Sequence, residues 1–185
     1  MSDPEYLGYI AMSADGFIAD REGGVGWLEQ FGVEGEDNGY GEFIAHVDAL
    51  VSGRATYEQV MGWGWPYEER PAYVLTHEEG YTGEHVAAAG DMPKLDAAIR
   101  EAGHRKVWVL GGGQAQRAAL DAGMFDHLKL FIMPIILGGG IPLFSPGVSR
   151  RLTFVSITPR PAVILKIEYK IYEYTWPRPF PLKAT

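Results

Sequence analysis

A chain of 185 residues with 46% hydrophobic content fits one domain with a real core, and a mean hydropathy of -0.09 is ordinary for a soluble protein. With no cysteine among them, a disulfide framework, a thiolate zinc site and a cysteine nucleophile are all excluded. The formal charge of -8 sits unevenly, because residues 1–40 hold nine acidic groups against the single basic Arg21, and no Lys/Arg cluster exceeds the pair Arg150 and Arg151, which argues against a nucleic-acid partner.

Tyr6 to Ser13 reads as a first strand, followed by a long Gly/Asp/Glu-rich loop over 14–39. The spacing then predicts a short helix over Glu42–Val47, a strand over Ala49–Ser52, and a helix over Arg54–Met61 that starts behind Gly53. Pro71–Thr76 is predicted as a strand, Leu95–Ala102 as an amphipathic helix, Val107–Leu110 as a strand, Gln114–Ala122 as a helix and Leu128–Ile136 as a strand. Two last strands, Leu152–Ile157 and Ala162–Tyr174, are expected to join through a Thr158-Pro159-Arg160-Pro161 turn.

Helices between mostly buried strands imply a three-layer α/β sandwich: a mixed, mostly parallel central sheet with helices on both faces and an antiparallel ribbon at its end. One domain over residues 1–175 is expected, with 176–185 as a Pro-rich tail. Apolar runs such as Leu130–Leu137 are strand-sized and interrupted by Pro134, and the opening MSDPEYLGYI lacks the basic start and apolar core of a signal peptide. A cytoplasmic location away from membranes is the expectation.

Three junctions present main chain at strand ends. At Val107-Trp-Val-Leu110 a β-branched and aromatic run stops at Gly111, Gly112 and Gly113, and a helical pattern follows; side-chain-free backbone there admits a ligand, and the helix's free N–H groups face any anion in front of them. At Gly53-Arg54-Ala55-Thr56 a buried strand turns into a helix carrying a guanidinium fork and a hydroxyl on its first turn. At Ala11-Met-Ser-Ala-Asp15-Gly16-Phe-Ile18 a strand gives way to an Asp-Gly turn. In open α/β sheets, ligands bind at such carboxyl ends.

The order AMSADGFIA, GRATYE, VLGGGQAQRAALDAG and IMPIILGGGIPLF resembles the dihydrofolate reductase-like superfamily, most of all the C-terminal reductase domain of the bifunctional deaminase-reductase of riboflavin biosynthesis, here without a deaminase domain. The resemblance covers about residues 5–174. It implies an NADPH-dependent reductase and a homodimer. Carried over, Ala11 and Ile18 border the nicotinamide and its ribose, with Gly16 permitting the turn. Gly53, Arg54, Ala55 and Thr56 hold phosphates, Arg54 being the candidate for the 2′-phosphate. Thr76 and His77 lie on the adenosine side, and Leu110, Gly111, Gly112, Gly113, Gln114 and Ala115 cradle the pyrophosphate and face the nicotinamide.

The cofactor supplies the hydride, so the protein must align the acceptor, exclude water and furnish a proton. Asp15 and Asp37 are the candidate proton donors, Asp37 alternatively capping a helix. Trp27, Phe43, Tyr57, Trp63 and Trp65 are candidate substrate walls, because planar heterocycles stack on aromatic faces. Three departures from the family bear on the substrate. Tyr9 stands where riboflavin reductases carry a lysine, which counts against a phosphoribosyl substrate; Gln116 stands where dihydrofolate reductases often carry a tyrosine; and Asp37 is not at the family spacing from Gly53. The readings left open are a reductase of a small heterocyclic or imine-like substrate, a 5-amino-6-(5-phosphoribosylamino)uracil reductase, and a non-catalytic nucleotide-binding protein.

Overall fold

In the computed structural model, residues 3–144 and 150–171 are described. Their elements in chain order are β1 (Glu5–Ser13), β2 (Phe17–Ala19), α1 (Tyr40–Ile44), β3 (Ala49–Gly53), α2 (Arg54–Gly62), β4 (Ala72–Leu75), β5 (Val86–Ala89), α3 (Met92–Glu101), β6 (Lys106–Gly111), α4 (Gly113–Asp121), β7 (His127–Met133), β8 (Ile141–Pro142), β9 (Leu152–Arg160) and β10 (Ile164–Ile171). Eight strands form one sheet in the order β5-β4-β3-β6-β1-β7-β10-β9, while β2 and β8 pair separately. All pairs from β5 to β7 are parallel, and β10 runs antiparallel to both β7 and β9.

Burial explains the layers. Ala49, Leu50 and Val51 of β3 are wholly buried, as suits a central strand covered on both faces. Ala49, Val51, Val107 and Val109 pack with Leu95 and Ile99 of α3 and Ala119 and Leu120 of α4. Leu50 and Trp108, one residue out of phase, pack on the opposite face with Phe43 of α1 and Val60 of α2. The expected three-layer sandwich is therefore present.

The differences from expectation lie at edges. β5 escapes the hydrophobic pattern because its sequence VAAA has two exposed alanines and is a strand only through pairing with β4. β9 continues through Thr158, Pro159 and Arg160 of the expected turn, as an edge strand can tolerate a proline. The reversal falls instead at Pro161–Val163, with Ala162 and Val163 at φ 56° and 60°. β7 stops at Met133, ahead of Pro134. The expected strand residues 172–174 and the 176–185 tail lie outside the described residues.

Candidate active site

β3 and β6 are parallel neighbours, with Ser52 opposite Gly111, so their carboxyl ends open at the same edge. Each runs directly into a helix. α2 starts behind Gly53 and α4 behind Gly112, and neither start receives a side-chain cap. Their first-turn N–H groups are thus unclaimed by capping side chains. Gly112 holds φ +83°, and a Cβ there would stand 3.0 Å from Thr56 Oγ1, which shows how closely the two helix starts approach.

Two adjoining cavities occupy this edge. One, of about 450 Å³, runs between the end of β1 and α4; the other, of about 570 Å³, lies between the ends of β3 and β4 and the start of α4. Both are lined by Ala55, Thr56, Gly112 and Ile141, so they form one cleft straddling the two helix starts. Ala11, Ile18, Leu110 and Gly111 line the first, and Gly53, Arg54, Thr76, His77, Gly113, Gln114 and Ala115 the second. Gly16 stands outside both; at φ +91° its carbonyl accepts the Leu143 N–H at 3.0 Å, tying the turn to the segment after β8.

That segment closes one side of the cleft. β2 pairs with β8 because Gly140 lies against the Ala19 carbonyl, where any Cβ would collide. Asp15 pins the stretch ahead of β8 by accepting the N–H groups of Leu137 (3.1 Å) and Gly138 (2.8 Å). Gln59 joins the loop to α2, its Nε2 donating to the Gly23 carbonyl at 3.1 Å. Gln59 is absent from the sequence-derived set, although its i+4 relation to Ala55 puts both on one face of α2.

The acidic candidates stand elsewhere. Asp37 is exposed and accepts the N–H groups of Gly39 (2.7 Å) and Gly41 (2.8 Å), so it caps the start of α1. Those bonds, from Gly41 first and then Gly39, hold its carboxyl below the ordinary range, opposite to the rise a proton donor needs. Asp15 is also exposed and lowered, by hydrogen bonding with the Ser13 side chain and then with the Leu137 and Gly138 amides. Both are ionised structural acceptors at neutral pH. The titratable groups that line the 450 Å³ cavity are instead Tyr9 and Glu22. Burial first, and then the Asp37 carboxylate, push the Tyr9 hydroxyl far above its ordinary range; it donates to the Asn38 carbonyl at 3.1 Å.

The aromatic candidates are corrected as well. Phe43 is buried in the layer under α1 and stacks on Tyr9 at 4.6 Å. Tyr57 is buried against Ala72 and Val74 and donates to the Glu84 carbonyl at 2.8 Å. Trp65 packs between Tyr57, Tyr67 and His85, and Trp63 is 63% exposed. Trp27 packs against Phe131, Met133 and Ile164. None of the five lines the cleft: Phe43 and Tyr57 are taken up by the core, Trp27 and Trp65 pack against it, and Trp63 stands in solvent away from the cleft.

Arg54 reaches the 570 Å³ cavity with its charge already paired: Nε meets Glu58 at 2.7 Å, a further nitrogen meets Glu78, and the guanidinium lies 5.2 Å from the Tyr81 ring centre. Among the described residues no group of three or more His, Asp or Glu is placed to hold a metal ion. None of their helices is long and apolar enough to cross a membrane.

The chain is similar in sequence and fold to known proteins. The family model of the RibD C-terminal domain matches residues 8–166, and the chain belongs to that family. YwjB of Bacillus subtilis (strain 168) is 35% identical over 140 residues, 74% of this chain and 80% of YwjB. A structure from Shewanella sp. PV-4, ascribed to riboflavin biosynthesis, superposes with a TM-score of 0.82 at 26% identity, over 91% of this chain and 99% of that one. Dihydrofolate reductase from Enterococcus faecalis, solved with NADP(H), superposes with a TM-score of 0.70 at 19% identity, covering 91% and 97% of the two chains, so the fold is dihydrofolate reductase-like.

Proposed function

We propose that this chain is a cytoplasmic NADPH-dependent reductase of a small, uncharged heterocyclic or imine-like acceptor. The observation that carries the reading is the meeting of two uncapped helix starts, α2 and α4, in one cleft at the sheet's carboxyl edge. Such starts attract a pyrophosphate through free N–H groups and the helix dipole. The cleft fits a dinucleotide because Gly112 leaves empty the space a side chain would fill between the helices. Arg54, Thr76 and His77 would hold the adenosine end; Ala11, Ile18, Leu110 and Gly111 would border the nicotinamide. When bound, the cofactor supplies a hydride.

The protein's remaining tasks are positional. Ile18 and Ile141 give the reacting end an apolar wall, and the proton reaches the acceptor through solvent at the open side of the cleft, since Asp15 and Asp37 are engaged elsewhere. Among the described residues lining the 450 Å³ cavity there is no Lys or Arg, and Tyr9 fills the position of the family's lysine. That lack of cations favours an unphosphorylated acceptor over a phosphoribosylaminopyrimidine.

Calorimetric titration tests the reading. NADPH is expected to bind with a dissociation constant between about 1 μM and 1 mM, the usual range for working substrates. No binding up to millimolar cofactor would overturn it. Binding without oxidation by any acceptor would support the nucleotide-binding alternative, and turnover of 5-amino-6-(5-phosphoribosylamino)uracil the riboflavin-pathway one. Phe154, Val155, Ile157 and Leu165 are exposed apolar side chains on β9 and β10, which a homodimer would cover. Light scattering should then give about twice the 20.4 kDa chain mass.

A further inference from the structure

Gln116 lies on the inner face of α4 with Ala115, Ala119 and Leu120, where an apolar residue is the ordinary occupant. It is 1% exposed, and neither its Oε1 nor its Nε2 has a hydrogen-bond partner among the described residues. An amide with both ends unpaired is a costly thing to bury. Other described side chains share this condition, namely the Trp27, Trp65 and Trp108 indoles, Asn38 and Arg160, but Gln116 alone among them lines the cleft.

Its place in the cleft is informative. Gln116 lines the compartment with Tyr9, Ala11, Ile18 and Leu110, and not the one with Arg54, Thr76 and His77. Nearby polar side chains are engaged, since the Tyr9 hydroxyl donates to Asn38 and the Gln59 amide to Gly23. At about 450 Å³ the compartment falls in the range that takes a whole small ligand, leaving room for a second ring beside a nicotinamide.

We propose that Gln116 is a specificity-determining residue that recognises a ring N–H beside a ring C=O, the edge of a cyclic amide, on the hydride acceptor. The ring N–H donates to Oε1 while Nε2 donates to the ring carbonyl, so that both orphaned ends are satisfied at once. The assignment rests on the reductase reading for the identity of the ring beside it.

The test uses the full chain saturated with NADP⁺, with 2-pyridone as probe and N-methyl-2-pyridone, which lacks the donor, as its control. The wild-type protein should bind 2-pyridone roughly 10- to 100-fold more tightly than the methylated ring, the scale of a buried hydrogen-bonded pair. Gln116→Met should abolish that difference, leave NADP⁺ affinity unchanged, and raise the melting temperature of the cofactor-free protein by removing an unpaired amide. Gln116→Glu, whose carboxylate only accepts, should reverse the preference toward protonated 2-aminopyridine, whose ring N–H and amino group both donate, by about tenfold or more. Equal binding of 2-pyridone and its methylated form would overturn the proposal, and so would a Gln116→Met protein that loses NADP⁺ affinity while keeping the probe difference. If the wild-type protein takes no NADP⁺, the reductase reading falls, and the same probe pair titrated into the cofactor-free cleft decides the Gln116 assignment by itself.

Discussion

α3 begins behind Asp91, whose carboxylate accepts the Lys94 N–H at 2.9 Å, with Pro93 in its first turn. α2 and α4 begin behind glycine, with no side chain across their first amides. All three helices pack on the same sheet, yet only the two whose starts open on the cleft go without a cap. Glycine in place of a capping side chain forgoes only a few tenths of a kcal/mol, so Gly53 and Gly112 leave their amides open at little expense in stability. On the proposed reading, the contrast separates a helix start built for folding from one kept for a ligand.

The largest effect is expected at Gly112. Gly112→Val forces a β-branched side chain into φ +83° and against Thr56, and should weaken NADPH binding about 100-fold or more while the fold persists. Unaltered cofactor titration by this variant would reduce the glycine run to a turn. Capping an uncapped start should have the next largest effect. Gly53 is extended, at φ -73° and ψ 156°, and a Cβ there meets only Ala115 Cβ at 3.8 Å, so Gly53→Asp is sterically acceptable. It should raise the melting temperature and weaken NADPH by roughly tenfold or more through competition for the α2 amides. The mirror experiment, Asp91→Ala, should lose about 1 kcal/mol of stability with cofactor affinity unchanged.

A smaller effect concerns cofactor choice. Because Glu58 and Glu78 already pair with Arg54, its preference for the 2′-phosphate should fall below the roughly 1.5–3 kcal/mol of an unopposed charged hydrogen bond. Glu78→Gln should widen the ratio of NADPH to NADH affinity several-fold, and an unchanged ratio would remove Arg54 from that role. The smallest effect on turnover belongs to Asp37→Asn. The Asp37 carboxyl is lowered when folded, so its stabilisation is present above the ordinary carboxylate range and lost as pH falls through the folded value. The variant should keep its rate near neutrality, and its acid unfolding should show a weaker pH dependence.

How far the sequence carried depended on where the information lay. The glycine junctions were legible because a β-branched run ending in Gly111–Gly113 needs only local chemistry to be recognised, and the central strands because Ala49–Val51 and Val107–Val109 are apolar without interruption. β5 was not legible, since four small residues become a strand only when β4 offers its edge. The aromatic walls failed for a related reason: Tyr57 and Phe43 have the chemistry to stack on a heterocycle and the area to fill a core, and only packing decides between them. Asp37 posed the same choice between cap and acid, decided by the amides of Gly39 and Gly41.

The cleft's division of labour has an evolutionary consequence. Its floor is main chain at Gly53 and Gly111–Gly113, indifferent to mutation except where a Cβ would intrude, whereas the wall around Tyr9, Leu28, Gln59 and Gln116 is made of side chains. On the proposed reading, lineages descended from this architecture can exchange one acceptor for another by single substitutions in the wall while the cofactor grip is inherited intact.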